Sequence, residues 1–94
     1  MILEPIFDSR QSFYGKAKTE FQKNDFESIK DLYSYGTLVA SIICKYDSRT
    51  TIYKYFGKYS QTTTRHQKEF FKQNGLSDKE IKELFKNMEL IKEW

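Results

Sequence analysis

A chain of 94 residues leaves room for one hydrophobic core and excludes two. Its apolar fraction of 38%, of which the 17% aromatic residues carry most of the buriable area, suits a folded domain, and 16 basic against 13 acidic residues exclude a disordered polyelectrolyte. Cys44 is the single cysteine, which excludes an internal disulfide and a disulfide-stapled secreted scaffold.

The N-terminal residues 1–11 read as an arm. They hold no cationic region, their apolar run is short, and Pro5 interrupts it, so no export signal is expected and the expected setting is the cytoplasm. No stretch approaches the roughly 18 apolar residues that a membrane helix needs, and no membrane association is expected. From Phe13 to Phe21 the period is two, which predicts a strand with one wet face and Gly15 as a bulge or close approach within it. Asn24-Asp25 supplies a turn, and residues 28–35 predict a second strand that Gly36 ends. Residues 37–46 form the most apolar run, with Leu38, Val39, Ala40, Ile42, Ile43 and Cys44 nearly continuous, as a central strand covered on both faces would be. After a turn at residues 47–49, β-branched and aromatic residues over 50–56 predict a fourth strand.

Beyond Tyr59 the period becomes 3.6. Thr64 and Gln67 have capping-box spacing and Gly75 is a stop signal, which predicts a first helix over 65–74. Ser77 with Glu80 opens a second, whose Ile81, Leu84, Phe85, Met88 and Ile91 share one side. Strands first and helices after predict an α+β domain: a four-stranded antiparallel β-meander (12–59) followed by a helical hairpin (60–94) packed on one face. Trp94 is expected to hang free at the end.

The search for chemistry returns little. One His and one Cys give no metal-ligand spacing, so no metal and no cofactor are expected. Gly57-Lys58 lacks the upstream glycine of a phosphate loop, Ile52 standing in its place, and the four separate glycines make no dinucleotide fingerprint. His66, the only imidazole, sits in the first helix and reads as a packed residue, which leaves no self-contained enzyme.

Three segments carry a resemblance: Ser12-Phe13-Tyr14-Gly15-Lys16-Ala17, then Leu32-Tyr33-Ser34-Tyr35-Gly36-Thr37-Leu38-Val39-Ala40, then Ser60-Gln61-Thr62-Thr63-Thr64-Arg65-His66-Gln67-Lys68-Glu69-Phe70. Together they resemble a family of small proteins encoded by phages and prophages of Gram-positive bacteria. The resemblance covers about residues 11–75 and implies a phage or mobile-element origin without a mechanism. Lysine outnumbering arginine 13 to 3 is compatible with an AT-rich host.

The surplus positive charge lies in residues 45–72, which sum to +5, whereas residues 1–44 and 73–94 each sum to −1. Lys54, Lys58, Arg65 and Lys68, with Tyr53, Tyr55 and the helix-start residues Thr62 and Thr63, therefore form the candidate binding set. The competing reading is plain structure: a Lys- and Tyr-bearing edge strand that resists pairing, and threonines that only cap a helix whose Arg65 is tied to a carboxylate of its own chain. Two roles follow. The first is an accessory or counter-defence factor that occupies a host protein, such as a nucleic-acid-processing CRISPR effector. The second is direct nucleic-acid binding through the basic, Tyr-bearing strand and the helix N-terminus. Salt dependence separates them, because phosphate contacts release counterions and an apolar protein interface does not.

Overall fold

The computed structural model describes residues 1–10 and 12–94; residue 11, the last of the expected arm, lies outside the described residues. Seven elements follow in chain order: β1 (Ala17–Lys23), β2 (Glu27–Ser34), β3 (Thr37–Lys45), β4 (Thr50–Tyr55), α1 (Gln61–Gln73), α2 (Asp78–Asn87) and β5 (Glu89–Glu93). The class is α+β, as the residue pattern implied, with a five-stranded antiparallel sheet in the order β1-β2-β3-β4-β5.

The fifth strand corrects the expected meander of four. The 3.6-residue stripe of α2 stops at Asn87 because Met88 takes a left-handed conformation at φ 69°, and its N–H bonds the Leu84 carbonyl. The chain then reverses, and Glu89–Glu93 pairs with β4, Ile91 opposite Ile52. Ile91 thus belongs to the sheet, and β4 is an interior strand instead of the edge. Trp94 is anchored too: its N–H bonds the Arg49 carbonyl at 2.8 Å and its indole N–H the Thr51 hydroxyl at 2.8 Å.

Other boundaries shift for local reasons. β1 begins at Ala17, since Tyr14 and Gly15, at φ 55° and 72°, form a turn that Lys16 N–H closes onto the Phe13 carbonyl. Phe13 is buried, but ahead of the strand. Asn24 does make the first hairpin turn, its side-chain oxygen accepting from the N–H groups of Phe26 and Glu27. α1 starts earlier than expected because Ser60, not Thr64, is its cap and accepts from Thr63 N–H at 3.1 Å. The Ser77–Glu80 capping box forms as read, both reciprocal bonds present.

Both helices lie on one face of the sheet. Side chains pointing that way, including Leu32, Ala40, Ile42, Tyr53 and Tyr55, pack against Phe70, Phe71, Ile81 and Leu84 as one core. Tyr55 stacks on Phe85 with ring centres 4.1 Å apart. The arm joins the same side, with Leu3 buried and its N–H bonded to Ala17. β3 is the central strand, yet only one of its faces is covered, which corrects the expectation of two.

Candidate functional site

Antiparallel register fixes which residues share the uncovered face. Ile29 lies opposite Ile43, Ile43 opposite Ile52, and Ile52 opposite Ile91, so four isoleucines run in a row across β2, β3, β4 and β5. Ile29, Ile43 and Ile52 are half-buried by their neighbours, and Ile91 is 56% exposed. No helix and no part of the arm, among the described residues, packs over this row. β-branched cross-strand pairs stabilise a sheet, but half a sheet's apolar side chains are not normally left toward water in line.

Charge brackets the row at both ends. On β2, Glu27 and Asp31 stand two residues either side of Ile29; on β5, Glu89 and Glu93 do the same for Ile91. The two strands read Glu-Ser-Ile-Lys-Asp and Glu-Leu-Ile-Lys-Glu. The middle strands carry Lys45 and Lys54 instead. Ser41 donates to Asp31 within this face, and Glu20 stands opposite Asp31 on β1.

The residues singled out from sequence do not form one surface. Lys54 alone lies on the uncovered face, in register with Ser41 and Glu89. Tyr53 and Tyr55 point under the helices at 8% and 7% exposure, so neither ring is available to stack on a base. That corrects their place in the candidate set. Thr63 is buried and its hydroxyl bonds Ser34, while Thr62 is half-buried on the first turn of α1. Lys58 and Lys68 are exposed. Arg65 pairs with Asp8 of the arm at 3.2 Å, the arrangement expected of a helix start with a structural role. The isoleucine row was missed because Ile91 fell in step with the helical stripe of α2; the repeated Glu-x-Ile-Lys-acid pattern was the signal that could have found it.

His66 is buried and bonds the Ser34 hydroxyl through Nδ1 at 2.8 Å, while its Nε2 has no partner among the described residues. The rings of Phe13 and Tyr35 lie 4.5 Å and 5.9 Å from it. A hydroxyl beside an imidazole has the parts of a nucleophile and base, but Ser34 and His66 are 2% and 0% exposed, as residues packed between sheet and helix are. Next to it, Gln67 donates to the carbonyls of Val39 and Gly57, serving the extra residue where the β2–β3 register shifts. Among the described residues no three of His, Cys, Asp and Glu cluster as metal ligands would, and no helix is long and apolar enough to cross a membrane.

Burial holds the His66 pKa below its ordinary value, outweighing the Asp8 carboxylate, which pulls the other way. A histidine that resists protonation when folded binds its proton more readily when unfolded. Stability is therefore whole above pH ~6.5, the unfolded value, and falls as pH drops from there toward the folded value, by at most ~1.4 kcal/mol per pH unit. Thermal melts between neutral and mildly acidic pH should show this decline, and His66→Gln should flatten it.

A family model described as a family of unknown function (DUF8033) matches residues 1–87. No curated protein and no solved structure matches the chain.

Proposed function

The chain belongs to the DUF8033 family of unknown function, and from that premise we propose that it is a non-enzymatic protein-binding module whose uncovered sheet face docks on a host protein. The row of Ile29, Ile43, Ile52 and Ile91 carries this reading. Apolar side chains aligned in water cost free energy that a partner recovers by covering them, at roughly 25 cal/mol per Å² of apolar area removed from water. The resemblance to phage- and prophage-encoded proteins supports a mobile-element origin and a counter-defence form of this role, in which the module occupies a nucleic-acid-processing complex of its host.

Direct nucleic-acid binding is the weaker reading. Of the tyrosines interleaved with the basic residues, Tyr53 and Tyr55 are beneath the helices while Tyr59 is exposed; Arg65 is engaged by Asp8, and Lys72 is engaged by Asp78 at 2.9 Å. What supports it is the exposed pair Lys58 and Lys68.

The double variant Ile43→Lys with Ile52→Lys tests the proposal. Lysine stems can lie along the sheet with their ammonium groups in water, but Ile43 and Ile52 stand directly opposite each other, so the double variant loses a β-branched pair and sets two like charges side by side. The domain should stay folded with its melting temperature lowered by roughly 4–16 °C, equivalent to about 1–2 kcal/mol. Capture of a host protein from nuclease-treated lysate should fall by at least about tenfold, a loss of roughly 1.4 kcal/mol. Undiminished capture by a folded double variant would place the binding surface elsewhere, and capture that disappears on nuclease treatment of the unaltered protein would favour nucleic acid.

A further inference from the structure

We infer that the occupant of the uncovered face is a basic amphipathic helix of another protein, its apolar seam along the four isoleucines and its lysines or arginines over the carboxylates that bracket them; this rests on the reading of that face as the binding surface.

Spacing is the first argument. Adjacent strands lie roughly 4.8 Å apart, so the row from β2 to β5 presents one isoleucine about every 4.8 Å over some 14 Å. An α-helix repeats its apolar face once per turn of about 5.4 Å. Three turns therefore set one apolar side chain against each isoleucine in succession. An extended strand laid along the row would place same-side residues nearly 7 Å apart and fall out of step at once.

Charge is the second. The strand residues of this face include the carboxylates of Glu20, Glu27, Asp31, Glu89 and Glu93 against the ammonium groups of Lys18, Lys45 and Lys54. That set sums to −2 in a molecule of +3, so the residues outside it sum to +5 and this face stands out as negative. A second copy seated face to face would bring that same acidic surplus against itself. The helical side of a second copy offers the right sign, through Lys68, Lys79, Lys82 and Lys86, but those exposed residues form no apolar seam. Nucleic acid would meet carboxylates at both ends of the row. A helix with apolar residues on one stripe and cations beside it satisfies both demands, and the paired charges would set its orientation and speed its approach.

Two labelled peptides of about 15 residues, long enough to turn helical on binding, separate these contributions. They share a leucine seam, one residue per turn, flanked by lysine in one and by glutamate in the other. Fluorescence anisotropy with the full chain should show the lysine peptide binding at least about tenfold more tightly, with the advantage shrinking as salt is raised. Ile43→Lys with Ile52→Lys should abolish binding. Equal affinity for both peptides, lost in the double variant, would overturn the charge inference and leave the face as the binding surface. Binding of the lysine peptide that survives the double variant would overturn both. Failure of both peptides to bind, or a face-to-face dimer of this chain in light scattering, would overturn the inference, while the capture experiment would still judge the binding role independently.

Discussion

Leu32→Asp should leave the domain unfolded at ordinary temperature. Leu32 is fully buried on the helix-facing side, in register with Thr19 on one side and Ala40 on the other, so no cation stands opposite to receive a carboxylate. An unpaired buried charge costs roughly 3–5 kcal/mol or more, most of the roughly 5–10 kcal/mol available to a domain of this size. Ile42→Asp is expected to be milder although Ile42 sits at the centre of the most apolar strand. Lys30 lies directly opposite it on the same face, where its ammonium group bonds Asn74, and can turn toward a new carboxylate. Circular dichroism at ambient temperature should find Leu32→Asp unstructured and Ile42→Asp partly rescued. The reverse order would mean that the β2–β3 register is wrong.

Glu69→Ala should release the N-terminal arm. The Glu69 carboxylate, 2% exposed, accepts from the N–H groups of Phe7 and Asp8, each at 2.9 Å, and from the Gln73 amide at 2.6 Å. Bonds to a charged acceptor are worth roughly 1.5–3 kcal/mol each, less what the freed groups recover from water. A net loss of about 2 kcal/mol would lower the melting temperature of a domain this small by roughly 8–16 °C. Amide exchange at Phe7 and Asp8 should accelerate toward the unprotected rate while that in β3 stays slow. Asp8→Asn removes only the partly exposed pair with Arg65 and should cost less than about 1 kcal/mol.

The parts of this fold that could be read from sequence are those whose signals are local. Asn24 as a turn former, the Ser77–Glu80 box and the glycine stop at Gly75 each act within a few residues, and each appears where the sequence implies it. β5 could not be read the same way. Its five residues are long enough to be a strand yet short enough to continue α2, and Ile91 satisfies both periods. What decides is non-local: β4 has an open edge that Glu89–Glu93 pairs with, and the left-handed Met88 lets the chain turn toward it. The same limit hid the candidate surface. Two tyrosines alternating with Lys54 look like an exposed basic strand until the helices cover one side, and the isoleucines of four strands become a row only once the register aligns them.

The central claim, that the uncovered face is the working surface, can be tested on the chain's own isoleucines. There are eight, and they fall into three environments: Ile29, Ile43, Ile52 and Ile91 on the uncovered face, Ile42 and Ile81 in the core, and Ile2 and Ile6 in the arm. Methyl spectra of isoleucine-labelled protein, recorded with and without nuclease-treated host lysate, therefore carry their own controls. The account predicts broadening or shifts at the four face methyls while those of Ile42, Ile81, Ile2 and Ile6 hold their positions. Perturbation confined to the arm, or a response that appears only when nucleic acid is left in the lysate, would contradict it.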